Sequence, residues 1–481
     1  MDEKAGQGFS KFVLYALRGI FIVIAVAAVG RLGFYYKCQK FGISLIPILL
    51  YVAAVAAMIY ALKKNINKRV ILISIVVVGF ILRLIWCWSV KSIPVSDFNT
   101  AFRSAQELLN GKKDIFFEFG YFARYPHLIM FTLYMASVII VFGTYALTAL
   151  KGLNIVASLI SIIFIYLIAK EIFNDEKKSL VAAFIMALFP ASIIYTAVYS
   201  TETIAIAFFL ASLYYFILVM NKKKRDTYLL LSGVLLLVGH LFRMVAQVII
   251  VAYIMYIFIY MRKQYKNKFK RTAYILISFF IPFIIIGYTV IGAGITDTKL
   301  WSPKETPLTS VLKGSNINAG GRWNEEDAKF VEENVSRTEY LNNECKNRII
   351  QRYTSASPST LGCFFVKKLV CQWWQGDFAG AFWAESGLTS ENIRIDVLNK
   401  GAVWFQLYYT IIFIMAVVGL FKKREYIDNK IANIMSIIFC GYGILFLILE
   451  TQERYGFIIS WIFVLMAAAA IKPGKEKEMY V

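Results

Sequence analysis

Val70 to Val90 reads VILISIVVVGFILRLIWCWSV, and after a single lysine the chain continues from Ser92 to Thr100 as SIPVSDFNT. The first stretch is an apolar run of the length, about 20 residues, that a helix needs to cross a bilayer. Its apolar residues do not alternate with polar ones, which excludes the strand of a membrane barrel. The second stretch opens a polar segment, Ser92 to His127, that ends in Ala123-Arg-Tyr-Pro-His127 before apolar sequence resumes. A membrane helix therefore delivers a polar loop carrying Asp97, and that loop, 92–127, is the first candidate for a catalytic segment.

The rest of the chain fits this reading. Of the 481 residues 59% are hydrophobic, and the mean hydropathy of +0.62 is more than a soluble core absorbs. Further apolar runs lie at Phe21 to Val29, Ile43 to Leu62, Ile204 to Met220 and Tyr274 to Ile291. The net charge of +22 sits in short clusters between such runs: Lys63, Lys64, Lys68 and Arg69; Lys222 to Arg225; Arg262 to Arg271; Lys422 to Arg424. That is positive-inside bias and marks those loops as cytoplasmic, so no nucleic-acid partner is expected. Six cysteines (Cys38, Cys87, Cys345, Cys363, Cys371, Cys440) form no Cys-x-x-Cys pair, and there are two histidines. This is not the pattern of a structural zinc site or a dense disulfide framework. The first apolar run is expected to be a retained helix, not a removed signal.

With the basic loops inside, helices are expected at about 12–30 going out, 43–62 returning and 70–90 going out again, which places Ser92 outside. Arg31, Lys37 and Lys40 then fall outside, against the bias. Residues 127–142 number about 16, short of a full span. If they crossed, every later basic cluster would be outside, so this segment is expected to lie shallow or re-entrant. Residues 146–168 follow, then 181–198 going out and 204–220 returning. The run from Tyr228 to Tyr260 suits two short helices meeting at the outer surface, with His240 and Arg243 at the junction. After 274–291 the last helices are expected at 403–421, 431–449 and 456–470. The fold class is thus an all-α polytopic membrane protein of about twelve transmembrane helices, with both termini cytoplasmic. It divides into an N-terminal membrane core (1–291), an extracytoplasmic loop domain (292–400) and C-terminal helices with a cytoplasmic tail (401–481).

Within 92–127, Phe98, Ala101, Phe102, Ala105, Leu108 and Leu109 recur at helical spacing, and Gly111 ends the pattern. Such a helix suits the membrane surface. In the loop domain, 314–323 is Gly- and Asn-rich and expected to be irregular, 334–352 to be helical, and 364–374 to be a basic-aromatic stretch at the interface.

Charge parity sets Asp97, Arg124, His127, Glu202, His240, Arg243, Gln452, Glu453 and Arg454 on one side of the membrane. Several of these residues also have a plainer reading. Asp97 suits a helix N-cap, Glu202 a helix-start carboxylate favoured by the macrodipole, and Arg454 a side chain snorkelling to the headgroups. His240 suits a packed core histidine and His127 a turn residue. Arg322, beside Gly320, Gly321 and Trp323, suits either a surface turn or a lid over a bound substrate. Trp373, Trp374 and Asp377 look like interface anchors. Ionisable groups at membrane depth are otherwise functional by default, which favours Arg243.

On these residues the sequence resembles the C-fold (GT-C) membrane glycosyltransferases, in particular bacterial relatives of protein O-mannosyltransferases and of the aminoarabinose transferases of lipid A. The shared features are an Asp in the first large outer loop (Asp97) and a Tyr-Pro-Pro-Leu-like element written here Tyr125-Pro126-His127-Leu128. An acidic residue follows at the next outer turn (Glu202), and an Arg-Tyr pair, Arg454-Tyr455, precedes the last helix. His127 replaces the second proline, no Asp-x-Asp pair is present, and two helices precede the one leading into the first loop. The resemblance implies transfer of a sugar from a polyprenyl-phosphate carrier to a glycan, lipid or protein acceptor at the extracytoplasmic face of the cell membrane. In that reading Asp97 is the general base and Glu202 a second catalytic carboxylate. Arg124, Tyr125, His127, His240, Arg243, Arg322, Gln452, Arg454 and Tyr455 bind substrate, and the resemblance fixes no cofactor, with a divalent metal on Asp97 and Glu202 as an option. The alternatives are a lipid-linked sugar transporter or flippase, and a polysaccharide ligase or polymerase. A transporter would place polar groups near the midplane.

Overall fold

A computed structural model describes residues 2–38, 46–261, 265–422 and 429–474. Lys40, the first residues of the expected helix 43–62, Arg262, Lys263, Lys423, Arg424 and the tail from Lys475 lie outside the described residues. Among those described there is no strand, only one isolated antiparallel bridge between Val90 and Ile393.

The chain opens with α1 (Asp2–Lys37), α2 (Ile46–Lys63) and α3 (Lys68–Ser89). Asn67 caps α3 by accepting from the Arg69 amide. The first polar loop carries α4 (Ser96–Leu109) and the single turn α5 (Tyr121–Arg124), then α6 (Ile129–Phe142) and α7 (Ala146–Phe173). Next come α8 (Glu176–Ala187), α9 (Pro190–Ile194), α10 (Glu202–Met220), α11 (Tyr228–Phe242), α12 (Ala246–Tyr260) and α13 (Tyr265–Gly292). The long polar region holds α14 (Leu308–Gly314), α15 (Glu325–Asn334), α16 (Thr338–Ser355), α17 (Pro358–Cys371) and α18 (Gly380–Glu385). The chain closes with α19 (Ala402–Leu420), α20 (Asn433–Ile448), α21 (Glu453–Gly456) and α22 (Trp461–Ala469).

Among the described residues, seven of the helical runs are long and apolar enough to cross a membrane, or eight if one bent pair counts as a span. The chain is a multi-pass membrane protein. The count falls below about twelve because the remaining expected segments are short or broken. Helices α11 and α12 have 15 residues each, and the final run is interrupted by a 3-10 turn at Phe457–Ile459.

The bent pair corrects the expectation of one helix over 181–198. Helix α8 stops at Ala187 and the chain turns by 54° into α9. Pro190 at the start of α9 brings no N–H to continue the ladder. The fully buried Arg83 fills the elbow, donating to the Ala187 carbonyl at 3.0 Å and the Gly79 carbonyl at 2.9 Å, and to Ser158 and Ser192 at 2.7 and 2.6 Å. A buried cation without a carboxylate is costly, and here four oxygens replace its hydration.

The loops sort to two ends of the bundle. At one end Lys223 pairs with Glu171 at 2.9 Å, Arg271 with Asp226 at 2.8 Å, and the Gly474 amide donates to Asp175 at 2.9 Å. At the other, Ser92 donates to the Ala197 carbonyl at 2.6 Å, Tyr199 to the Ser92 carbonyl at 3.1 Å, and Arg394 through its amide to Ser89 at 2.8 Å. Helix α6, with 14 residues, is only about 21 Å long. It packs along α4, and its successor α7 begins at the same end, where Lys151 donates to the Val90 carbonyl at 3.1 Å. Gly143, at φ +53°, makes the break between α6 and α7.

The core is apolar and close-packed. Phe21 of α1 lies within 5.7 Å, centroid to centroid, of Phe413, Phe439 and Phe463, so α1 is wedged among α19, α20 and α22. At the α19 and α22 crossing a Cβ on Gly419 would meet the Met466 carbonyl at 2.0 Å, and only glycine allows that approach. The polar region has its own small cluster of Leu312, Val331, Leu341 and Cys345. Beside it Asp327 is held by Arg352 at 2.7 Å, Asn316 at 3.0 Å and Asn324 at 2.9 Å.

Candidate active site

Four charges alternate in sign at the end of the bundle that carries Ser92. Asp97 lies in the first turn of α4, after an extended Val95 that provides no side-chain cap. It is therefore not the N-cap residue. Tyr121 donates to its Oδ1 at 3.0 Å, and Nη2 of Arg454 stands 3.8 Å from its Oδ2. Arg454 sits on the short turn α21, and its Nε lies 4.0 Å from Oε1 of Glu202. Glu202 begins α10, with its Oε2 accepting from Thr201 at 3.2 Å. Nη1 of Arg243 is 3.6 Å from the same Oε1. Arg243 ends α11 in an extended conformation, which turns its side chain away from the helix toward Glu202.

Burial grades across this row. The side chains of Glu202 and Arg454 are 1% and 7% exposed, Arg243 17% and Asp97 47%. Asp97 is thus the group open to an incoming molecule. Aromatic rings frame the guanidiniums: the centre of the Arg454 group is 4.8 Å from the Trp383 ring and 5.1 Å from Phe98, and that of Arg243 is 4.9 Å from Tyr455. Burial opposes the charge of Arg454, but Glu202, and less strongly Asp97, hold its pKa above the ordinary arginine value. Burial and the neighbouring Asp97 charge raise the pKa of Tyr121, keeping it a donor.

The ion pairs are long for direct hydrogen bonds, which lie near 2.7–3.2 Å. Arg454 Nε and Glu202 Oε1 have no hydrogen-bond partner among the described residues. Arg454 therefore keeps a donor unspent beside the half-exposed Asp97, and a guanidinium so placed can pair with an anionic group such as a phosphate. A bridging divalent cation fits less well, because Arg454 stands between the two carboxylates. No group of three or more His, Cys, Asp or Glu that could hold a metal occurs among the described residues.

Residues 126–286 match the family model described as dolichyl-phosphate-mannose-protein mannosyltransferase. The chain resembles the GT-C membrane glycosyltransferases. The matched segment starts at Pro126 and carries His127, Glu202, His240 and Arg243, while Asp97 and Arg454 come from outside it. Among solved structures, the apo crystal structure of the Archaeoglobus fulgidus oligosaccharyltransferase is similar with a TM-score of 0.47 and 14% identity, over 85% of this chain and 51% of that one. AglB of the same organism, in complex with an inhibitory peptide and a dolichol-phosphate, gives 0.46 and 15%, over 85% and 50%. The chain thus spans about half the length of these structures. No curated protein matches it.

The other residues singled out in the sequence are placed as follows. His127 is half-buried and within electrostatic reach of Arg243 and Asp97. Tyr455 faces Arg243 and lies 3.4 Å from Glu450, to which Gln452 also donates at 2.8 Å. Arg124 pairs with Glu305 at 2.8 Å and with Glu332 at 2.5 Å, and Tyr125 donates to Glu305 at 3.0 Å. These two residues therefore tie the first loop to the polar region. Arg322 is paired with Glu453. His240 is fully buried between Phe279 and Phe283, at 5.1 and 5.2 Å, with neither nitrogen bonded among the described residues; it stands apart from the charged row.

Sequence reasoning did not select Tyr121 or Trp383, and it read Phe98 only as part of an apolar face. Tyr121 lies in the first polar loop just before the Arg124-Tyr-Pro-His127 element, and that position is its signal in the sequence. Trp383 is far from Asp97 in the chain and carries no local signal of its role.

Proposed function

We propose that this protein is an integral-membrane glycosyltransferase. It moves a sugar from a polyprenyl-phosphate carrier to a hydroxyl acceptor at the extracytoplasmic face, with inversion. The observation that carries this reading is the single guanidinium of Arg454 set between a half-exposed Asp97 and a buried Glu202, with Arg243 behind.

Asp97 takes the proton of the acceptor hydroxyl as its oxygen bonds to the anomeric carbon. The bond from that carbon to the phosphate oxygen breaks, and polyprenyl phosphate leaves with the electron pair. Arg454 and Arg243 receive the phosphate charge. The row of two carboxylates and two guanidiniums is neutral at rest. Once Asp97 is protonated it carries a net positive charge, at the moment when the leaving phosphate gains negative charge. Glu202 keeps both guanidiniums oriented, and Tyr121 fixes the Asp97 rotamer. The family match over 126–286 supports the lipid-linked donor.

The test is transfer from radiolabelled polyprenyl-phosphate sugars by the purified protein in lipid nanodiscs, against Asp97→Asn. Loss of turnover in the variant is expected. Undiminished transfer would sink the base assignment, and lipid translocation without sugar turnover would favour the transporter reading.

A further inference from the structure

Next to the charged row in sequence lies the lining of a cavity of about 280 Å³. The two share adjacent residues: Glu453 and Phe382 line the cavity, while Arg454 faces Asp97 and Trp383 packs on Arg454. Its far wall is the end of α1 and the start of α19, through Arg31, Tyr35 and Phe405. The helix hairpin that precedes α3 thus contributes directly to this cavity.

The lining mixes three chemistries. Arg31 and Arg322 are donors, and the Arg31 Nε is buried with no hydrogen-bond partner among the described residues. Asp377 and Glu453 are acceptors, with Asp377 oriented by Gln375 at 2.7 Å and the Ala381 amide at 3.0 Å. Phe34, Tyr35, Phe382 and Phe405 are aromatic plates, and the Arg31 guanidinium stacks on the Tyr35 and Trp374 rings at 4.6 and 5.0 Å. The wall also stores strain. Phe378 and Ala379 are consecutive non-glycine residues at φ +51° and +58°, a left-handed conformation that side chains disfavour. It is pinned by Tyr195, which donates to the Phe378 carbonyl at 2.7 Å, and it turns the segment so that Asp377 and Phe382 both face the cavity.

Two carboxylates balance two guanidiniums here, so the cavity is close to neutral. A phosphate in it would face Asp377 and Glu453, and like charges at such close range repel. A ring with several hydroxyls needs both donors and acceptors around its edge and an apolar surface under its C–H face. The volume lies just below the roughly 300–1,000 Å³ of sites for drug-sized ligands, which suits one ring.

We propose that this cavity is a second saccharide subsite, taking a neutral sugar ring between Phe382 and Phe405 with its hydroxyls on Arg31, Arg322 and Asp377. The inference rests on the transferase reading only in assigning that ring to the acceptor.

The test is saturation-transfer difference NMR on the full chain in nanodiscs, with the methyl glycosides of mannose, glucose and N-acetylglucosamine as probes. At least one glycoside is expected to show saturation transfer in the wild type and equally in Asp97→Asn. The signal should fall at least fivefold in Phe382→Ala and in the cavity-filling Ala402→Trp, with thermal midpoints confirming that both fold. No signal from any glycoside in the wild type, an unchanged signal in both cavity variants, or loss in Asp97→Asn would overturn the subsite. Displacement of the glycoside by millimolar inorganic phosphate would overturn it in favour of an anion site. Undiminished sugar transfer in Asp97→Asn, which would sink the base assignment, leaves this result untouched, so the two readings fail separately.

Discussion

Nη2 of Arg454 stands 3.8 Å from Oδ2 of Asp97, joining the turn before the last helix to the first turn of the first polar loop. The contact holds the two most distant parts of the site in register. Arg454→Lys keeps the charge but not the fork that spans Asp97 and Glu202. Transfer by Arg454→Lys is expected to drop by about 10²-fold or more, the scale seen when one preorganised donor is removed. The check is single-turnover transfer from a lipid-phosphate sugar.

Asp97→Asn is expected to lower the transfer rate by about 10² to 10⁴-fold, the usual contribution of a general base. Its thermal midpoint should stay within a few degrees of wild type, because Asp97 is half-exposed and not a cap. Differential scanning fluorimetry beside the rate measurement separates the two effects.

Glu202→Gln leaves Arg243 and Arg454 without their shared buried counter-charge. Removing one partner of a buried pair destabilises by about 3–5 kcal/mol, so this variant should lose thermal stability as well as activity. Unchanged unfolding in detergent would show that Glu202 does not hold the guanidiniums.

His240→Phe is expected to be tolerated, with transfer within about twofold of wild type and stability equal or higher. An unbonded buried imidazole forfeits hydrogen bonds that a phenyl ring never requires, and the aromatic packing with Phe279 and Phe283 is retained. A tenfold loss of rate would return His240 to the site.

Glu385, buried at the end of α18, accepts from the Val397 and Leu398 amides at 2.9 and 3.2 Å. Burial pushes its carboxyl up to about 8 from an ordinary 4.5. The folded state thus holds the proton more tightly than the unfolded chain. That contribution to stability is fully present below about pH 4.5 and is lost as pH rises through 8. Thermal midpoints measured from pH 6 to 9 should fall in the wild type and stay flatter in Glu385→Gln.

The legibility of this protein divides by the range of the interaction. Composition, run lengths and charge clusters suffice for an all-helical membrane protein, because each helix satisfies its own backbone in a bilayer and must be apolar along its length. The split of 228–260 into α11 and α12 follows from the length of the run together with His240 and Arg243 at its middle. Asp97, Glu202, Arg243 and Arg454 could be assembled as a set because polar groups at turns between apolar runs have few places to go. What the sequence left open is which of them touch. His240 and Arg243 are three residues apart, yet one faces Phe279 and Phe283 and the other faces Glu202, since α11 ends between them. Arg124 and Tyr125 read as substrate contacts, and their pairing with Glu305, far along the chain, has no local signal. The elbow at Ala187, the Trp383 wall over Arg454 and the cavity built by Arg31 and Asp377 depend on side chains distant in sequence meeting across the bundle. Such contacts are selected by packing in three dimensions, and no local pattern records them.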